Sequence, residues 1–170
     1  ACRAMLVPLD GDGDHEQALP VVTALAGPWG AALKLLTVVP AVADLAGPMS
    51  LIRRFVPGTA QSMLELSAQE AGDYLQELIR KLTAAGLAAE SLVARGDPAR
   101  VIAAQADGLA DGVVVLASHG RSGLSAFWEG SVASRVAGLT RRPLLLIPVH
   151  RGATGRAGAR EPNGRTPGMI

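Results

Sequence analysis

Residues 113–139 read VVVLASHGRSGLSAFWEGSVASRVAGL. Val113–Leu116 is a continuous apolar run, the pattern of a strand buried on both faces of a parallel sheet. It leads into a glycine-rich loop, and Gly130-Ser131 then opens a helix expected from about Glu129 to Leu139. A strand, a glycine loop and a helix start in succession leave first-turn backbone N–H groups pointing at one spot. Such a junction holds phosphate without a cage of cationic side chains. An acidic turn, VPLDGDGD from Val7 to Asp14, follows the first apolar run and could face the same spot.

Outward from this junction, five apolar runs are spaced by helix-length segments. They are Ala4–Leu9, Ala32–Val39, Ala88–Ala94, Gly112–Ala117 and Leu144–Val149. Asp14 is a candidate cap for a helix carrying Ala18, Leu19, Val22, Leu25 and Ala26, ending near Gly27-Pro28. The stripe Leu64, Ala68, Ala71, Leu75, Leu78, Ile79 and Leu82 predicts a long helix from about Ala60 to Ala85, stopped by Gly86. Asp97 and Pro98 supply an N-cap and a first-turn proline for the helix that follows. Right-handed strand–helix–strand units in series make a doubly wound α/β layer structure. The proline-rich stretch 40–59 breaks the pattern and reads as a lid, a contact surface or a cap on the core.

A chain of 170 residues fits one domain. We expect that domain over residues 1–150, with 151–170 a flexible Gly/Arg-rich tail. Aromatic residues are only 3% of a chain that is 49% hydrophobic, so the core must be aliphatic. The net charge is +1, and four of the Arg residues stand in the tail against Glu161 alone. That balance favours neither nucleic acid nor an anionic membrane as partner. Cys2 is the sole cysteine, which excludes a disulfide framework and a thiolate metal cluster. No apolar run approaches the ~20 residues of a membrane span, and a cytoplasmic location is expected. Because position 1 is Ala and not Met, the chain is expected to begin inside the natural sequence.

Ligands of open parallel sheets bind beyond the carboxyl ends of the strands. Pro8, Leu9 and Asp10 stand there after the first strand, and Asp10 either accepts from a ribose hydroxyl pair or caps the turn. Across the site, Gly120 and Gly130 permit close backbone approach, and Ser131 adds a hydroxyl at the helix start. Arg121 is a candidate for touching phosphate, against a solvated Arg, and His119 for shaping the loop or touching phosphate. No GxGxxG follows a strand and no GxxxxGK[ST] occurs, which argues against a dinucleotide fold and a P-loop. Ser118, His119 and Asp10 form no convincing nucleophile triad without GxSxG. His15, His119 and His150 are too scattered for a zinc site.

With these motifs in place, the chain closely resembles the universal stress protein family over roughly residues 3–149. Nucleotide-binding members carry G-x2-G-x9-G-[S/T] after the fourth strand, and here Ala117-Ser118-His119-Gly120 is followed by nine residues and Gly130-Ser131. Their V-P-x-D appears as Val7-Pro8-Leu9-Asp10. The resemblance implies a three-layer sandwich with a five-stranded parallel sheet of order 3-2-1-4-5, the adenine nucleotide alpha hydrolase-like fold. It implies ATP or a related adenine nucleotide, with Mg²⁺, across the ends of the first and fourth strands. Pro8 and Asp10 then meet adenine and ribose, Val38 or Val39 lines the adenine, and Gly120, Gly130, Ser131 and Val132 cradle phosphate. Ala117 departs from the motif's first glycine. Its methyl is harmless if only backbone approach is needed there, and it lowers affinity if it abuts ribose or the α-phosphate. The resemblance also implies a homodimer paired through Leu144–Val149. The function expected is nucleotide-dependent signalling through conformation or partner choice. A nucleotide-independent interaction protein and a slow ATP hydrolase are the alternatives.

Overall fold

The computed structural model describes residues 2–41, 57–119 and 131–149. In chain order the elements are β1 (Ala4–Pro8), a 3₁₀ turn (His15–Ala18) running into α1 (Leu19–Trp29), and β2 (Ala32–Val39). Then come α2 (Pro57–Ala84), β3 (Ala89–Arg95), α3 (Pro98–Asp107), β4 (Gly112–His119), α4 (Val132–Leu139) and β5 (Leu144–Val149). The strands form one parallel sheet in the order β3-β2-β1-β4-β5. The expected α/β sandwich is the observed fold.

Strand alternation decides what each face buries. Met5, Val7, Leu33, Leu35 and Val115 point to one side, where Val22, Ala26, Leu75, Leu78 and Leu82 of α1 and α2 meet them. Leu6, Leu36, Val114 and Leu116 point to the other, against Ala99, Ile102, Ala106, Ala133 and Val136 of α3 and α4. Each fully buried Leu or Val in these layers contributes roughly 1.5–3 kcal/mol of transfer free energy. Because most helix residues at the second layer are Ala, α3 and α4 lie close to the sheet and to each other.

Local signals explain the boundaries and correct several expectations. Asp97 caps α3, its carboxylate accepting from the Arg100 N–H at 3.1 Å. Asp14 does not cap α1. It has helical dihedrals itself and takes the Gln17 side-chain amide at 3.3 Å. The capping-type contact falls two residues earlier, where Asp12 Oδ1 accepts from the Asp14 N–H at 2.9 Å. This Asx turn starts a 3₁₀ turn before the α-helix proper. The first helix also runs past Gly27-Pro28 to Trp29 and stops at Gly30, which takes the left-handed φ of 61°. Pro28 is tolerated inside it because Pro28 and Ala24 both lie on the exposed face.

The β1 strand ends at Pro8, although the Leu9 N–H still donates to the Leu36 carbonyl at 2.8 Å. β4 extends two residues beyond Ala117 to His119. α2 takes in Pro57, Gly58 and Thr59 from the proline-rich stretch, and the rest of that stretch from residue 42 lies outside the described residues. Residues 120–130 and 150–170, which take in the glycine-rich stretch and the expected tail, lie outside them as well. Among the described residues no helix is long and apolar enough to cross a membrane.

Candidate functional site

Between β1 and β4 the chain order reverses direction across the sheet, and the connections above them diverge. A cavity of about 400 Å³ opens there. Pro8, Leu9 and Asp10 enter it from the end of β1, Leu36 and Val38 from β2, and Leu116, Ala117 and Ser118 from β4. Pro98 and Ile102 of α3 close one side, and Ser131, Val132 and Ala133 at the start of α4 close another. His15, from the 3₁₀ turn, completes the described lining. The volume lies within the roughly 300–1,000 Å³ of small-molecule sites.

The chemistry of the wall is divided. Leu36, Val38, Ile102 and Leu116 make an apolar slot. Facing it are a carboxylate, an imidazole and two hydroxyls, with no Lys or Arg among the described lining. Ser131 caps α4, its Oγ accepting from the Ser134 N–H at 3.1 Å, while Ser134 Oγ donates to the Ser131 carbonyl at 2.9 Å. Helix geometry then leaves the Val132 and Ala133 N–H groups without intrahelical acceptors, so the cavity meets the positive end of a helix dipole.

Asp10 is the only carboxylate in the described lining. Its Oδ1 accepts from the Asp12 N–H at 3.1 Å and lies 2.7 Å from Nδ1 of His15. Gly11, with φ of 82°, makes the tight turn that brings Asp12 back onto it. Beneath this turn, on the α1 and α2 face, Tyr74 has a buried hydroxyl that makes no well-formed hydrogen bond among the described residues, with the Glu16 carboxylate nearby. Burial pushes its pKa well above the ordinary value, with Glu16, Asp10 and Asp12 adding to the rise. Among the described residues no group of three or more His, Cys, Asp or Glu is placed to hold a metal ion, despite the acidic run from Asp10 to Glu16.

Of the residues singled out in the sequence, the fold brings together Pro8, Leu9, Asp10, Val38, Ala117, Ser118, Ser131 and Val132. Val39 is not in the lining, because alternation along β2 turns it to the opposite face from Val38. Ala117 borders the cavity, yet its side chain lies on the Val115 side and packs on the α1 and α2 core. Its methyl therefore points away from the slot built by Leu116 and Ser118. His119 ends β4, and its side chain, like Gly120, Arg121 and Gly130, lies outside the described residues. The sequence reading missed Leu36, Pro98, Ile102, Ala133 and His15. Period-two spacing from Val38 could have found Leu36, and the Asp97-Pro98 start signal placed α3 without saying what it faced.

The sequence pattern of the Universal stress protein family matches residues 2–148. The chain belongs to the universal stress protein family. This member is 29% identical over 147 residues to the universal stress protein YxiE of Bacillus subtilis, covering 84% of this chain and 97% of that protein. Its fold is similar to that of UspA from Lactobacillus plantarum, with a TM-score of 0.68 at 19% identity, covering 86% and 97% of the two chains. It is also similar to the hypothetical protein MJ0577, with a TM-score of 0.67 at 22% identity over 90% and 99%. A universal stress protein solved in complex with cAMP superposes with a TM-score of 0.55 at 19% identity over 87% and 98%.

Proposed function

We propose that this universal stress protein binds an adenine nucleotide, ATP with Mg²⁺, in the cavity above β1 and β4, and acts through nucleotide-dependent conformation or partner choice. The observation that carries the reading is the division of that cavity into an apolar slot and a polar rim ending at a helix N-terminus. A base fits the slot of Leu36, Val38, Ile102 and Leu116. Asp10 then serves the sugar, and Ser118, Ser131 and the N–H groups of Val132 and Ala133 serve the phosphates. His119, Gly120, Arg121 and Gly130 complete the phosphate cradle in this reading, on the strength of the G-x2-G-x9-G-[S/T] spacing. The relative in complex with cAMP supports an adenine nucleotide as the class of ligand. Mg²⁺ would be carried on the phosphates, where it neutralises charge, since the described residues form no metal cluster of their own.

Binding is favoured over efficient hydrolysis. Phosphoryl transfer in P-loop enzymes relies on a lysine at the β and γ phosphates, and the sequence has no GxxxxGK[ST] to supply one. The competing reading, an interaction protein of the same fold that ignores nucleotide, draws support from Asp10, whose Oδ1 is already bonded within the chain. Calorimetry with Mg-ATP separates the two. One site per chain is expected, and no heat or competition at millimolar nucleotide, on folded protein, overturns the proposal. As part of the same reading, two copies associate through β5, the last strand in the sheet order.

A further inference from the structure

Asp10 is an exposed carboxylate in a cavity rim, with a side chain 60% accessible. Rotation of such a group about χ2 is broad, and water competes for both oxygens. Two contacts restrain it, and both converge on the same atom. The Asp12 N–H lies 3.1 Å and His15 Nδ1 2.7 Å from Oδ1. An ionised carboxylate can only accept, so the proton in the His15 contact sits on Nδ1. His15 is itself held. Its N–H donates to the Asp12 carbonyl at 2.9 Å, and its side chain is 21% accessible against the same cavity. Oδ2 carries no hydrogen bond from the described residues, which leaves it able to accept from a ligand in the cavity that Asp10 lines.

We propose that His15 is a positioning residue for Asp10. Its Nδ1–H locks the carboxylate by one oxygen and reserves Oδ2 for a hydroxyl donor on the ligand, which gives the cavity its preference for ribose over 2′-deoxyribose. The inference rests on the nucleotide-binding reading above. The Asp12 N–H alone is a longer contact to the same oxygen, and a single restraint on Oδ1 leaves the carboxylate freer to turn about χ2. The imidazole contact is short and charge-assisted on the acceptor side. Asn at position 15 keeps a side-chain N–H near the place of Nδ1, whereas Ala removes it.

The test is calorimetry of Mg-ATP and Mg-2′-deoxy-ATP on the parent chain, His15→Ala and His15→Asn. The parent is expected to prefer ATP by about tenfold, the size of one hydrogen bond to a charged group. His15→Ala should lose most of that preference while still binding the deoxy form, and His15→Asn should restore it. Equal weakening of both nucleotides in His15→Ala, with the preference intact, overturns the proposal and marks His15 as packing only. A parent that binds both nucleotides alike also overturns it, while leaving the nucleotide reading standing. A parent that binds neither overturns both. If His15→Ala does not fold, imidazole ¹⁵N shifts on the parent decide: an Nδ1–H tautomer that is lost in Asp10→Ala, which removes the acceptor, is expected, and an Nε2–H tautomer overturns the proposal.

Discussion

Arg135 Nη2 lies 2.8 Å from both carboxylate oxygens of Asp97, joining residues 38 apart in sequence. Asp97 caps α3 and Arg135 sits in the first turn of α4, so the contact ties together the two helix starts that wall the cavity. The Arg135 hydrogen bonds, followed by the Arg100 N–H, hold the Asp97 carboxyl below its usual value. A carboxyl lowered in the folded state contributes stability that is complete above its unfolded pKa of about 4 and is lost as pH falls through the folded value. The melting temperature of Arg135→Ala should therefore lie below the parent's at neutral pH and converge on it in acid. Nucleotide affinity should drop alongside. A gap in melting temperature that persists unchanged at pH 2 contradicts this account.

Ala117→Gly is expected to leave ATP affinity within about twofold, since the methyl packs on the α1 and α2 core and not in the slot. The same change should cost roughly 0.5–1 kcal/mol in stability through added chain entropy in a strand. Denaturant unfolding and calorimetry on one preparation measure both. Marked tightening of ATP would show that the methyl crowds the ligand after all.

Tyr74 is the sole tyrosine, so tyrosinate absorbance reports on it alone once the signal of the two tryptophans is subtracted with a Tyr74→Phe control. Its pKa is raised, first by burial and then by the Glu16 carboxylate. A phenol raised in the folded state keeps its contribution below pH ~10 and loses it as pH climbs, because the unfolded chain releases the proton first. Tyrosinate should then appear only together with unfolding, above pH ~10. Tyr74→Phe should be neutral or stabilising, within about 1 kcal/mol, since the hydroxyl makes no well-formed hydrogen bond among the described residues. A smooth titration near pH 10 by the folded protein is the contrary result.

Sedimentation at micromolar concentration should give twice the single-chain mass of 17.4 kDa. β5 is an edge of the sheet, and Val114 N–H donates to the Pro143 carbonyl at 3.0 Å. Parallel pairing then turns the backbone groups of Leu144 and Leu146 outward, with Pro148 in the same phase. Pro148 therefore removes a donor from the free edge and not from the β4 ladder, which confines new pairing to a short stretch. Leu145 and Leu146 both pack against the core, so charging either one tests folding as much as association. A clean single-chain mass would defeat the dimer.

The order of strands and helices could be read from the chain because its causes are local. The apolar run Val113–Leu116, the Asp97-Pro98 cap and the stripe from Leu64 to Leu82 each act through neighbours within one turn or one pleat. Pro8, Asp10 and Ser131 were legible for the same reason, as residues at the ends of such elements. The choice of Val38 over Val39 waited on the fold, because one residue of phase moves a side chain to the other face of the sheet. The Ala117 methyl turned away from the slot for that reason too. The shift of the turn cap from Asp14 to Asp12 depended on how the loop closes after β1. The pairing of His15 with Asp10, and of Arg135 with Asp97, required that turn and the packing of α3 on α4. Sequence spacing determines which residues share an element, but only sheet register and helix packing determine which elements bring their side chains within hydrogen-bonding distance.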